Sequence, residues 1–211
     1  MNLKDIVVSA PEHIKNEFIY KKYNKGSSIV LPDEVNDYLY ILIKGRAEVY
    51  SQSYSGSYIS LYLFESYSCF GEVEIFNNQF KTLGVIAKTD CETITVNKNA
   101  VIEWIKADIS FTLYLIEQLS EKLIHSTNRT AKLSLLTVKD RVLDSIYIHY
   151  KMGDLDQLTK EKLSSEVCVP MRSLNRSISQ CIDEGLIDII NKKIIVKSKD
   201  NLENYYNDYL A

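Results

Sequence analysis

From Ile109 to Leu136 the chain runs for 28 residues without a glycine or a proline. No other stretch constrains the fold as strongly, because a helix of that length is well beyond the average for globular proteins. Along it and one residue past it, Ile116, Leu119, Leu123, Ser126, Thr130, Leu133 and Thr137 recur at alternating intervals of three and four. That is the rhythm of a helix seam that packs against an identical helix. Small polar residues at three of the seven positions let two helices approach closely without giving either a fully greasy surface. The spacing predicts a dimer interface on Ile116, Leu119, Leu123, Ser126, Thr130 and Leu133.

Ahead of the helix the pattern is different. Between about Phe18 and Val96 the segments KGSSIV, YLYILIKGRAEVY, YISLYLF, CFGEVEIF, TLGVIAKTD and CETITVN are rich in Tyr, Val, Ile and Thr, and Gly26, Gly45, Gly56, Gly71 and Gly84 punctuate them. Short strands with regular turn signals predict an antiparallel sandwich or roll. Gly45 interrupts two apolar runs, which predicts a tight turn or bulge with no room for a side chain. In SYISLYLF the alternation predicts that Ile59, Leu61 and Leu63 face the core, with Tyr58, Ser60 and Tyr62 on the other face.

Beyond the helix, Thr137 is a good N-cap with Asp140 three positions on, so a new helix, VKDRVLDSIYIHYKM, begins there. The expected organisation is a roll over residues 1–108, a dimerisation helix over 109–137 and a third domain over 138–211, an α+β chain. In that third domain Thr159 caps KEKLSSEV, the residues Cys168, Val169 and Pro170 make a turn, and MRSLNRSISQCIDE forms a second helix ended by Gly185. The runs LIDII and KIIVK then flank Asn191, Lys192 and Lys193, which predicts a hairpin with a basic tip. Helix, short turn, helix and hairpin make a winged helix-turn-helix, whose second helix enters the DNA major groove.

The second helix sorts its residues by chemistry. Leu174, Ile178, Cys181 and Ile182 fall on an inner face, leaving Arg172, Ser173, Asn175, Arg176 and Ser179 outside. Arginine grips guanine bidentately, and Ser or Asn reads base edges or holds phosphates. With Thr159, Lys192 and Lys193, these make the expected DNA-binding set. From Thr159 to Lys199 eight basic residues face five acidic ones, a local balance of +3 in a chain of net charge -3. The expected partner is a double-stranded operator bound by a homodimer; an interaction module that has lost DNA binding is the alternative.

Composition removes several other classes. No stretch approaches the roughly 20 uncharged apolar residues of a membrane span, and no basic leader opens the chain, so a cytoplasmic protein without membrane contact is expected. Cys69, Cys91, Cys168 and Cys181 are isolated, and His13, His125 and His149 are scattered, so no metal site or catalytic constellation is expected. The segment from Phe18 to Val96 holds no histidine, which argues against a metal-dependent enzyme on a roll.

Taken together, YILIKGRAEVY, CFGEVEIF, the long helix, TVKDRVLDSI and LTKEKLSSEVCVPMRSLNRSISQCIDEGLIDI resemble the CRP/FNR family of bacterial transcription regulators over essentially the full length. The resemblance implies an N-terminal double-stranded beta-roll of the cyclic-nucleotide-binding kind, a dimerisation helix, a C-terminal winged helix-turn-helix, and contact with RNA polymerase if the protein activates. In the family's recognition pattern of arginine, acid, hydroxyl and arginine, this chain carries Met171, Arg172, Ser173 and Arg176. An acid commonly accepts from cytosine, so Arg172 in its place implies a different base preference.

The sensor also departs from the pattern. Where cyclic-AMP binders use a Gly-Glu pair for ribose, an Arg-Ser pair for the cyclic phosphate and helix hydroxyls for adenine, this chain has Gly71 and Glu72, Lys81 and Thr82, and Ser126 and Thr127. With Tyr62 these form the expected effector pocket. Lysine keeps the charge but lacks the planar fork that holds phosphate at two points, so a cyclic nucleotide is disfavoured as cofactor. No cysteine precedes Cys69, so the iron-sulfur cluster of oxygen-sensing relatives is not expected. Cys69 itself is expected to be buried and inert.

Overall fold

Two short helices, α1 (Leu3–Ser9) and α2 (Glu12–Lys15), lead into strands β1 (Ile19–Tyr23), β2 (Ser28–Val30), β3 (Tyr38–Lys44), β4 (Ala47–Gln52), β5 (Tyr58–Phe64) and β6 (Ser68–Phe70). Then come α3 (Glu72–Phe76), β7 (Gly84–Ala87), β8 (Cys91–Asn97), α4 (Lys98–Ala107) and the long α5 (Ile109–Leu135). The computed structural model describes residues 2–52, 58–77, 81–191 and 193–209. It divides into two units, Met1–Ile124 and His125–Ala211, so α5 contributes to both.

In the first unit, strands in the order β1-β8-β3-β6 form one sheet and β2-β7-β4-β5 the other, and every pairing is antiparallel. Alternation along β3 shows how the roll is filled. Leu39 and Ile41 pack outward onto Leu3, Ile6, Ile14 and Trp104 of the flanking helices, whereas Tyr40 and Leu42 point into the roll with Phe64, Phe70 and Val85. Tyr40 stacks on Phe70 with centroids 5.2 Å apart, and Phe70 lies 5.2 Å from Phe64. The expected turn at Gly45 is present: φ is +96°, and a Cβ there would lie 2.4 Å from the Asp90 carbonyl oxygen.

Two expectations for the roll are corrected. In β5, Tyr62 packs with the inner cluster and Leu63 is 46% exposed, the reverse of the expected sidedness. The reason is Phe64, in phase with Tyr62: seating that large ring against Phe70 decides which face turns inward, and Tyr62 follows at 4.7 Å. The segment CFGEVEIF is a strand only to Phe70; Gly71, at φ +95°, turns the chain into α3. Gly56 and the side chains of Tyr58 and Ile59 lie outside the described residues.

The second unit contains the end of α5, then α6 (Val138–Met152), a 3-10 turn (Leu155–Gln157), α7 (Lys160–Glu166), α8 (Met171–Asp183), the hairpin β9 (Ile187–Ile190) and β10 (Lys193–Val196), and α9 (Lys199–Tyr209). Thr137 caps α6 as expected, and the cap is reciprocal: its Oγ1 accepts from the Asp140 backbone N–H while the Asp140 carboxylate accepts from the Thr137 N–H. One core joins these elements: Val142, Leu143 and Ile146 of α6 meet Leu163, Leu174, Ile178, Cys181, Ile187 and Ile194. The terminal helix α9, which the sequence pattern does not announce, buries Leu202 there and stacks Tyr206 on Tyr147 at 4.0 Å.

Candidate nucleic-acid interface

Helix α8 separates its residues as its spacing predicts. Leu174, Ser177, Ile178 and Cys181 are buried, and Arg172, Asn175, Arg176, Ser179 and Gln180 are exposed, with Ser173 at the edge. Its first turn carries no acid and its N-cap, Pro170, makes no side-chain bond, so the helix opens with backbone N–H groups that no side-chain cap satisfies. The Cys181 thiol, pushed up to about 12 by burial, is a packing group.

Neighbouring elements add charge to this face. Thr159 caps α7 by accepting from the Lys162 N–H at 3.1 Å, and Lys160 donates to Asn175 Oδ1 at 3.0 Å, which brings a third cation, beside Arg172 and Arg176, to the α8 surface. Ser179 donates back to the Asn175 carbonyl. Between the start of α6 and the outer side of α8 lies a groove of about 430 Å³, lined by Thr137, Val138, Lys139, Ser173, Arg176, Ser177, Gln180 and Glu184. Lys139 holds both Glu184 carboxylate oxygens at 3.0 Å and lies over the Tyr205 ring. Partial burial would lower its ammonium, but the bond to Glu184 outweighs this and leaves it above the usual lysine range. Lys139, Lys160 and Gln180 were not in the expected set; helical spacing from Arg176 points to Gln180, whereas the two lysines reach the surface from other elements. Lys193 is exposed at the wing and Lys192 lies outside the described residues.

The residues expected to form an effector pocket do not gather in the same open way. Glu72 is 2% exposed, and its Oε1 accepts from Lys122 Nζ of α5 at 2.7 Å. That ammonium also donates to the Cys69 carbonyl at 3.0 Å and lies 4.9 Å from the Phe64 ring centre, so three directions around it are occupied. Burial still pushes the Cys69 thiol up to about 12 despite that cation, in keeping with an inert cysteine. Thr82 is buried as a loop staple: its hydroxyl lies 2.7 Å from the Leu31 carbonyl and accepts from the Glu34 N–H at 3.0 Å. Lys81 is exposed, Tyr62 is half-buried against Phe64, and Ser126 and Thr127 are exposed on the second unit's share of α5. Among the described residues no group of three or more His, Cys, Asp or Glu side chains is placed to hold a metal.

The seam residues of α5 lie open to a partner. Ile116 is 55%, Leu123 68% and Leu133 43% exposed, Leu119 is half-buried, and Thr130 donates its hydroxyl to the Ser126 carbonyl within the helix.

An antiparallel roll followed by a long helix and a winged helix-turn-helix defines a class of transcriptional regulators that carry a sensor-type domain. Residues 20–108 match the cyclic nucleotide-binding domain. The chain is 23% identical over 184 residues to the cAMP-activated global transcriptional regulator CRP of Pasteurella multocida, covering 83% of this chain and 88% of that one. Its fold matches the c-di-GMP responsive global regulator CLP of Xanthomonas campestris with a TM-score of 0.70 at 18% identity, over 89% of this chain and 98% of that one. A CRP/FNR regulator from Eubacterium rectale superposes with a TM-score of 0.70 at 16% identity, over 93% of each chain. These matches support a CRP/FNR-type transcriptional regulator, and the proteins matched are regulators rather than enzymes.

Proposed function

We propose that the protein is a homodimeric, sequence-specific DNA-binding regulator that presents α8 to the major groove of a palindromic operator. The observation that carries this reading is the outward set Arg172, Ser173, Asn175, Arg176 and Ser179 on a helix whose opposite face is buried. Lys160, Lys193 and the uncapped start of α8 support it by adding phosphate-binding charge around base-reading side chains. Thr159 flanks this surface, and Lys192, outside the described residues, is counted in the DNA-binding set in this reading. Dimerisation through Ile116, Leu119, Leu123, Ser126, Thr130 and Leu133 is supported by the exposure of the apolar Ile116, Leu123 and Leu133 along this seam, and it sets two copies of α8 on half-sites about one helical turn apart. RNA polymerase is the further partner if the protein activates, and the cytoplasm is its place of action.

For the effector, the cyclic-nucleotide-binding type of domain makes such a ligand the natural candidate, while the packing of the roll argues against it. Glu72 Oε1 is engaged by Lys122, Thr82 is engaged by its own loop, and Lys81 is a point charge in solvent. A role as a protein-interaction module would leave the bare basic face of α8 without a purpose. The test is selection of binding sites from a random duplex library with the full chain, with and without cyclic AMP. A palindromic sequence is expected to emerge, and Arg172→Ala with Arg176→Ala to abolish its selection; a double variant that selects the same site overturns the reading. Leu123→Asp is expected to give monomers by sedimentation and to lose operator binding.

A further inference from the structure

One polar cluster in the winged-helix unit lies apart from the DNA-facing surface. His149, near the end of α6, is 8% exposed, and its two ring nitrogens meet carboxylates on both sides. Nδ1 is 2.7 Å from Asp154 Oδ1, and Nε2 is 3.1 and 3.2 Å from the Glu166 oxygens. Ser145 donates to Glu166 Oε2 at 2.6 Å, and Lys162 lies 3.9 Å from Oε1. The charged groups at the ring are thus Asp154 following α6 and Glu166 from α7, with Lys162 behind Glu166.

Two features make this cluster more than a packing contact. Ionised carboxylates only accept hydrogen bonds, so bonds on both sides require both ring nitrogens to carry a proton. Removing one proton sets a lone pair against a carboxylate oxygen and breaks the bridge on that side. Secondly, Glu166 is the last residue of α7, and the turn to α8 begins beside it: Cys168 has φ +56°, and Ser164 donates its hydroxyl to the Val169 carbonyl at 2.6 Å. The position of Glu166 is therefore passed through four residues to Met171, where the helix that bears Arg172 and Arg176 starts.

We propose that His149 is a positioning residue for the recognition helix, a proton-dependent brace between α6 and the end of α7 whose loss weakens DNA binding as the pH rises. The proposal rests on the DNA-binding reading above. Consistent with a donated proton, the bond from His149 holds the Asp154 carboxyl below the usual range.

The test uses the full chain and the duplex selected from the library, with affinity measured at about pH 6 and about pH 8. Because His149→Leu alone strands Glu166 and can unfold the unit, the informative variant is His149→Leu with Glu166→Leu, which replaces the bridge by an apolar pair. Wild-type affinity is expected to fall about tenfold across that range, a typical coupling, while the double variant gives a flat profile. A wild type with a flat profile, or a double variant with the wild-type slope, overturns the brace. If no duplex is selected at any pH, the DNA-binding reading fails by itself. The brace is then judged by hydrogen exchange over residues 160–183: protection lost at the higher pH in wild type only supports it, and equal protection overturns it.

Discussion

The α8 surface and the roll carry similar polar residues and use them in opposite ways. Arg172, Asn175 and Arg176 stand in solvent on a helix anchored by Leu174, Ile178 and Cys181. In the roll, Glu72 and Thr82 are turned inward and held by the protein's own groups, Glu72 Oε1 by Lys122 and Thr82 by the Leu31–Glu34 loop, with Glu72 Oε2 buried and without a hydrogen-bond partner. The residue types of a site can therefore persist while the site is consumed by packing, and availability rather than identity separates the two regions.

Lys122 carries the largest expected effect in the roll. Lys122→Ala leaves the buried Glu72 carboxylate uncompensated and is expected to cost the first unit about 3–5 kcal/mol in denaturant titration, leaving the winged-helix unit unaffected. A loss below about 1 kcal/mol would mean that Glu72 is free to serve a ligand after all. On the other side, Arg176→Ala is expected to cost about 1–3 kcal/mol in operator binding and to relax the sequence preference at one base pair of each half-site. Unchanged preference would demote Arg176 to a phosphate contact.

A smaller effect belongs to the start of α6. Thr137→Ala removes the cap and is expected to lower stability by about 1 kcal/mol in the same titration. Burial raises the Asp140 carboxyl, but the bonds from Thr137 and Tyr205 outweigh it and leave it below the usual range. A depressed folded value means that this contribution is complete above the ordinary aspartate value and is lost as the pH falls below it. Asp140→Asn should flatten that part of the acid-stability curve. Smallest of all, Lys81→Ala is expected to change stability by less than about 0.5 kcal/mol, as for exposed surface residues; a larger loss would place Lys81 in the roll's framework.

Local chemistry made the winged-helix unit readable. Thr137 and Thr159 announce their helices, and the spacing of Leu174, Ile178 and Cys181 marks the inner face of α8, because caps and periods act over a few residues. What stayed hidden depends on contacts between distant positions. Lys122 lies 50 residues from Glu72 and Glu166 lies 17 from His149, so neither pair leaves a periodic trace. The inverted face of β5 has the same origin: Phe64 is placed by Phe70 of a neighbouring strand, and two faces of mixed aliphatic and tyrosine residues cannot be ranked without it. Helix α9, with its run of Asn, Asp, Glu and Tyr, hides its one fully buried leucine, Leu202, in a polar composition.

Trp104 is the protein's only tryptophan, and it is fully buried in the first unit, stacked on Phe111 at 3.8 Å with its indole N–H donated to Asp108. The fluorophore therefore sits where α4 meets the start of α5, and the winged-helix unit emits from tyrosine alone. Excitation at the red edge will report the melting of the roll by itself, while tyrosine emission follows both halves. One unlabelled sample can thus reveal whether the two units come apart together or in sequence.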